Sequence, residues 1–338
     1  MDDAGRRRVA AIDCGTNSLR LLIADWHPDR GELAELIRRM EIVRLGQGVD
    51  ATGRLAPEAL ARTFAMLEEY EQVIDDSRAE AVRLVATSAT RDASNAADFA
   101  SGVRRILGVP PEVLTGDEEA HMSFLGATAE LAAARRAGNP APEPPFLVVD
   151  IGGGSTEFVY GESPGGGATG AGGEGLAALS VNIGSVRLTE RHLRADPPEP
   201  AQIAAATADI DAALESVAAA LPVARARTLV GLAGSVTTLT AVALGMPRYD
   251  PGTVHHARLS ARQVHDVARD LLSQNHAERA KNGAIHPGRV DVISAGALIL
   301  DRILDRFGFT EMLTSEHDIL DGAAWSIVTA GAGTPRPR

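Results

Sequence analysis

Only one cysteine, Cys14, and one lysine, Lys281, occur among the 338 residues of this chain. A lone cysteine excludes an internal disulfide and a multi-cysteine zinc site, and makes the cytoplasm the default location. Aromatic residues supply 4% of the composition, and no continuous apolar run approaches the roughly 18 residues of a membrane span. The apolar run Val9–Ile12 is too short for a signal-peptide core, and Asp13 ends it. Broad positive charge is missing as well. A net charge of −12 excludes a nucleic-acid coat, which needs an extended basic footprint. The few cations are almost all arginine, in keeping with a GC-rich, alanine-rich coding sequence. Arginine also grips phosphate bidentately where lysine does not, so a small or linear anion stays open as a ligand.

What is present is an ordinary globular composition, 45% apolar and 23% charged, on a chain long enough for about two domains. Short apolar strands are expected at Val9–Ile12, Leu19–Ala24 and Leu36–Leu45, followed by a helix from Pro57 to about Asp76. A strand at Val82–Ala86, one helix over Asp92–Leu107, a short strand at Glu112–Leu114 and a helix from Asp117 follow. Residues 132–145 read as a loop. Strands return at Phe146–Val149, Glu157–Tyr160 and Leu179–Ile183, with a Gly-rich hairpin tip at 164–175. Helices are then expected at Val186–Leu193, Ala201–Ala220, Ser235–Leu244, Gln263–Leu272, Val290–Arg306 and Ile319–Thr329, with strands at Leu229–Leu232 and Glu311–Thr314.

The informative feature is a repeat. Asp13-Cys14-Gly15-Thr16-Asn17-Ser18 and Asp150-Ile151-Gly152-Gly153-Gly154-Ser155 share the pattern D-x-G-x-x-S. Each follows a short apolar strand and leads into a second, so the chain reads as two copies of one β-β-β-α-β-α plan. A strand that ends in Asp and turns tightly through Gly leaves backbone N–H groups pointing outward, a nest for phosphate. Gly permits the close approach and, where needed, a positive φ. One such turn alone is as well explained as an ordinary Gly-rich hairpin; the matched pair favours a phosphate clamp.

Other segments carry weaker signals. Asp150 and Glu157 bracket the second turn, and both carboxylates can address one point, as a hard cation such as Mg²⁺ requires. Thr87–Ala93 places hydroxyls and Arg91 at a helix start, which suits an anion or simple capping equally. The acidic run Asp117-Glu118-Glu119 is what a helix dipole favours in a first turn, and by spacing alone it reads as structural. Gly231–Ser235 is a strand–Gly–helix passage, a weak phosphate signal. His255, His256, His276, His286 and His317 show no metal-ligand spacing and read as structural or surface residues. Cys14 reads as a packed small residue. No Ser-His-Asp arrangement or P-loop is visible.

Taken together, Ile12–Ser18, Ala86–Arg91, Gly116–Ala120, Val149–Glu157 and Gly184–Glu190, continued by Gly231–Ser235, Asp291–Leu300 and Ser315–Gly322, resemble the exopolyphosphatase/guanosine pentaphosphatase (Ppx/GppA) family in its short two-domain form. The resemblance is collinear and covers nearly the whole chain. It implies an α/β fold of two ribonuclease-H-like lobes, of the actin/Hsp70/sugar-kinase superfamily, with an interlobe cleft. It implies lobe I at 1–117 plus 318–330 and lobe II at 118–317, with a disordered tail at 331–338 and the last helix returning to lobe I. It makes Glu119 the catalytic base and Asp150 and Glu157 the holders of Mg²⁺, with Mn²⁺ or a monovalent cation such as K⁺ as further metals. It assigns the phosphate chain to Gly15, Thr16, Asn17, Ser18, Ser88, Arg91, Gly152, Gly153, Gly154, Ser155, Gly234 and Ser235, with Arg187 a weaker member.

The implied reaction is hydrolysis of the terminal phosphoanhydride of inorganic polyphosphate, with water deprotonated by Glu119. The helical C-terminal domains of the family's long form are missing from this sequence, which favours short chains or the nucleotide guanosine pentaphosphate. The near alternative is guanosine pentaphosphate (pppGpp) 5′-phosphohydrolysis. A sugar or acetate kinase would need an adenosine pocket and an acceptor base. A non-catalytic polyphosphate or nucleotide sensor would gain nothing from carboxylates beside a polyanion. A homodimer is expected, with no nucleic-acid or membrane partner.

Overall fold

The computed structural model of the chain describes residues 6–29, 31–128, 131, 142–162, 176–329, 331 and 333–335. Most of the loop expected at 132–145 and all of the hairpin tip expected at 164–175 lie outside the described residues. No helix among the described residues is long and apolar enough to cross a membrane.

The chain opens with an antiparallel meander of β1 (Arg7–Cys14), β2 (Ser18–His27) and β3 (Glu32–Ile42). β3 ends earlier than its apolar pattern suggests. The N–H groups of Val43 and Arg44 leave the ladder and donate to the Asn17 carbonyl of the first turn instead. After α1 (Val49–Thr52) and α2 (Pro57–Ser77), β4 (Ala81–Ala86) runs parallel to β1. Both strands are apolar along most of their length because both of their faces are covered.

The helix expected at 92–107 starts four residues late, at Ala96, and ends at Leu107 as expected. α3 (Ser88–Arg91) is a single turn and α4 (Ala96–Leu107) starts afresh. The break comes at Asn95, whose side chain accepts from the Leu55 N–H and donates to the Leu55 carbonyl, at 2.8 and 3.1 Å. That tertiary tie overrides the local helical pattern. β5 (Glu112–Val113) then pairs in parallel with β4, and α5 (Gly116–Thr128) follows.

The plan is then repeated. β6 (Phe146–Ile151), β7 (Thr156–Gly161) and β8 (Leu176–Val181) form the second meander. They are followed by α6 (Ser185–Arg191), α7 (Pro200–Ala220), β9 (Thr228–Leu232) and α8 (Ala233–Ala243). β9 is parallel to β6. Next come α9 (Pro251–Val254), β10 (Arg258–Ser260), α10 (Ala261–Ser273), α11 (His276–Arg279), α12 (Ile293–Phe307) and β11 (Glu311–Thr314), the last parallel to β9. The chain ends with α13 (Ile319–Thr329) and β12 (Thr334–Pro335).

The residues cluster into two compact units. One comprises Met1–Met122 with Ile319–Arg338, the other Ser123–Asp318. In the first unit the strand order is β3-β2-β1-β4 with β5 on β4; in the second it is β8-β7-β6-β9-β11, extended by β10. The same order in both sheets is the structural form of the repeat seen in the sequence.

The first unit buries both faces of its sheet. Ile12, Leu19, Leu21, Leu67, Tyr70 and Phe99 form one core. On the other face Ala11, Leu22 and Val85 meet Leu320, Ala323 and Ala324 of α13. Trp26 and Trp325 make an edge-to-face contact there, with ring centroids 5.2 Å apart. The tail expected to be disordered departs from that expectation at Thr334 and Pro335, which pair antiparallel with Val82 and Ala81. β5 covers β4 only at Val85 and Ala86, so the start of β4 is an open edge that the tail fills. In the second unit α7 and α12 pack Ile210, Leu214, Ile299 and Ile303 around Leu147, Val149 and Phe158 of the sheet.

Candidate functional site

In both units the candidate residues lie where β1, β4, β6 and β9 end, at the carboxyl edge of the parallel strands. Ligands of open α/β sheets bind at that edge.

The first turn closes on itself, with the Gly15 N–H donating to the Ser18 carbonyl at 3.0 Å. The Thr16 and Asn17 carbonyls are held from behind. Gly46 N–H donates to Thr16, and Val43 and Arg44 N–H donate to Asn17. Pinning the Thr16 carbonyl aims the N–H of the same peptide plane, that of Asn17, in the opposite direction. Among the described residues, the N–H groups of Thr16 and Asn17 donate to no protein acceptor. The hydroxyls of Thr16 and Ser88 bond each other at 2.9 Å, so these two candidates brace the turn against α3.

The second turn is built alike from different parts. Gly152 N–H donates to the Ser155 carbonyl at 3.0 Å. Ser185 N–H donates to Gly152, and Val186 and Arg187 N–H donate to Gly153. Arg187 Nε donates to the Gly154 carbonyl at 2.6 Å, so this guanidinium buttresses the turn from behind. Gly153 and Gly154 keep N–H groups without a protein acceptor among the described residues. Gly184 makes this contact possible: a Cβ there would sit 2.5 Å from the Gly153 oxygen. None of Gly15, Gly152, Gly153 and Gly154 has a positive φ, so left-handed backbone is not what these glycines supply.

Opposite each Asp, across the hairpin, the two units differ. Asp13 pairs in register with Arg20, whose Nε and Nη2 donate to Asp13 Oδ2 at 2.9 and 2.6 Å. Asp150 pairs in register with Glu157, and Glu157 with Ser180 of β8. Directly paired residues share one face with Cβ atoms about 4.5–5.5 Å apart. Asp150 is 6% exposed and Glu157 1%. Ser123 Oγ donates to Asp150 Oδ2 and Ser180 Oγ to Glu157 Oε1, each at 2.8 Å. Two carboxylates on one face could together hold a divalent cation, and one or two carboxylates is the protein share that Mg²⁺ takes. Among the described residues no set of three His, Cys, Asp or Glu side chains could hold a metal ion.

The acidic run of α5 separates into two roles that spacing cannot distinguish. Glu118 is exposed and caps the helix: its Oε2 accepts from Thr115 N–H and Oγ1, while Glu118 N–H donates to Thr115 Oγ1. The Thr115 backbone and hydroxyl donors hold its carboxyl below the ordinary range. Glu119 is 7% exposed and accepts from Arg91 Nη1 at 3.1 Å. The same Nη1 donates to the Leu114 carbonyl at 2.9 Å. Nε and Nη2 of Arg91 have no protein partner among the described residues.

Gly234 and Ser235 open α8 after Ala233, which adopts φ 68°. Arg289 Nη1 donates to the Gly234 carbonyl at 3.1 Å and to Thr238 Oγ1 at 3.0 Å. A Cβ on Gly234 would displace that guanidinium, at 2.2 Å. Cys14 is buried; burial, with Asp13 adding to it, pushes its thiol well up, so it packs as a small apolar residue.

Sequence reasoning missed Arg20, Ser123, Ser180 and Arg289. Only Arg20 left a signal, standing at the offset from Asp13 that Glu157 has from Asp150. It also missed that His255 and His256 stack at 3.7 Å, with His317 4.7 Å from His255. His255 Nδ1 accepts from Glu316 N–H, and the Tyr249 hydroxyl donates to the Glu316 carboxylate. Chain folding brings this cluster together from distant segments, so it has no local pattern.

Comparison with known proteins agrees with this geometry. Exopolyphosphatase 2 of Mycobacterium tuberculosis is 45% identical over 331 residues, covering 95% of this chain and 98% of that protein. A crystal structure of an exopolyphosphatase-like protein superposes with TM-score 0.87 at 42% identity, covering 95% of this chain and 97% of that one. The Aquifex aeolicus member of the Ppx/GppA family superposes with TM-score 0.76 at 32% identity, covering 97% of this chain and 100% of that one. The model of the Ppx/GppA phosphatase family matches residues 23–329, and the chain belongs to that family.

Proposed function

We propose that this protein is an exopolyphosphatase that hydrolyses the terminal phosphoanhydride of inorganic polyphosphate and releases orthophosphate. The observation that carries the proposal is the state of the two turns. The first ties the Thr16 and Asn17 carbonyls to the protein, the second those of Gly152, Gly153 and Gly154, and both offer N–H groups, the arrangement an anion needs. The name of the Mycobacterium tuberculosis relative, at 45% identity over most of both chains, supports the same substrate.

In this reading the N–H groups of Thr16, Asn17, Gly153 and Gly154 bind phosphoryl oxygens and stabilise the charge that grows on them in transfer. The remaining donors of Arg91 add a bidentate grip. Glu119 accepts the proton of the attacking water, oriented by its bond to Arg91. Asp150 and Glu157 hold Mg²⁺, which supplies positive charge to the phosphoryl oxygens when bound. Short chains are the expected substrates.

Phosphate release from short polyphosphate, long polyphosphate and pppGpp, measured side by side, tests the reading. The highest kcat/KM on short polyphosphate is expected. A preference for pppGpp by tenfold or more would replace polyphosphate with the nucleotide, and no release from any of the three would overturn the enzymatic reading.

A further inference from the structure

Asp150, Glu157 and Ser180 form one row across β6, β7 and β8, each directly opposite the next. The last torsion of a carboxylate is broad and roughly two-fold, so burial alone does not fix where its oxygens point. A hydroxyl donating to one oxygen does fix it. Glu157 Oε1 receives Ser180 Oγ and Asp150 Oδ2 receives Ser123 Oγ, both at 2.8 Å. Ser123 is 1% exposed and comes from α5, the helix whose first turn holds Glu119; Ser180 comes from the outer strand of the meander. Each carboxylate therefore receives a serine hydroxyl on one oxygen, and the two serines come from different elements.

We infer that Ser123 and Ser180 are positioning residues which orient the Asp150 and Glu157 carboxylates toward one divalent cation. The inference rests on the metal role proposed for that pair. Each carboxylate oxygen has two lone-pair directions, so a hydroxyl that takes one of them fixes the plane in which the carboxylate presents the others to the cation. Hydrogen-bond partners of metal-binding carboxylates act this way in general, and their loss costs about 10–100-fold in metal affinity or activity. Glutamate gains most, because its longer side chain has one more torsion to settle.

The test is binding of Mn²⁺ to the metal-free full-length protein, followed by the electron paramagnetic resonance signal of the free ion. Ser123→Ala and Ser180→Ala are each expected to weaken Mn²⁺ binding about tenfold. Metal-free thermal midpoints should stay close to the parent, and Ser180→Thr, which keeps the hydroxyl, should restore binding. Asp150→Asn separates the two levels of the argument. Loss of Mn²⁺ binding in Asp150→Asn, with unchanged affinity in both alanine variants, overturns the positioning role and leaves the metal role standing. Unchanged affinity in Asp150→Asn overturns the metal role itself. A lower thermal midpoint in the alanine variants with unchanged Mn²⁺ affinity marks the serines as packing residues and also overturns the inference. Should Ser123→Ala fail to fold, the Ser180 pair of variants decides alone.

Discussion

The two units share a strand order and a turn, yet at the matching cross-strand row they are opposites. The first has Asp13, Arg20 and Met40 in register; the second has Asp150, Glu157 and Ser180. In the first row the carboxylate is neutralised within the protein, by a guanidinium at 2.6 Å. In the second, a neighbouring carboxylate and a hydroxyl take the place of the cation and the thioether. A duplicated frame has thus kept two turns of one build, while only one copy sets a second carboxylate opposite its Asp. The change needed is small, since one position opposite the Asp decides whether it faces a guanidinium or a second carboxylate.

Substitutions can break or sharpen this contrast. The largest effect is expected outside both rows. Glu119→Gln should lower kcat by up to about 10⁴-fold with KM little changed, read by steady-state phosphate release. A kcat within threefold of the parent would remove Glu119 as the proton acceptor. Arg20→Met leaves Asp13 as a buried charge without its guanidinium and should cost about 3–5 kcal/mol in a urea melt. A cost under about 1 kcal/mol would mean that the first row is not balanced by this pair. Glu157→Gln should lower activity by roughly 100-fold, partly recovered at high Mg²⁺, with a much smaller change in stability than Arg20→Met. If Glu157→Gln destabilises more than it inactivates, the two rows are alike after all. The smallest effect is expected at the support of the second turn. Gly184→Ala forces a Cβ against the Gly153 carbonyl and should cost about 1–3 kcal/mol, measured by thermal unfolding.

Much of the frame was legible because strands and turns are local. The D-x-G-x-x-S repeat, its flanking apolar strands and the order of elements follow from hydrophobic pattern and turn chemistry. The boundaries that moved did so for tertiary reasons. β3 stops where Val43 and Arg44 turn to Asn17, and the helix expected at 92–107 starts only after Asn95, which binds Leu55. The site was half legible. The carboxylate pair stood out beside its turn, and resemblance singled out Glu119 where spacing alone did not separate it from Glu118. What separates them in the structure is a cap at Thr115 and an ion pair with Arg91, neither visible as a pattern. Ser123 and Ser180 are ordinary serines in sequence, and only register and distance give them a partner.

The return of α13 to the first unit has a consequence for synthesis. The sheet face formed by Ala11, Leu22 and Val85 is covered by Leu320, Ala323 and Ala324, which are synthesised after the whole of the second unit. The second unit, Ser123–Asp318, is continuous and lies wholly between the two parts of the first. At about 5–20 residues per second, the uncovered apolar face waits on the order of 10–40 s for its helix. The first unit is therefore completed only after the second has been synthesised, and a nascent chain stalled before Ile319 presents its open sheet face to chaperones.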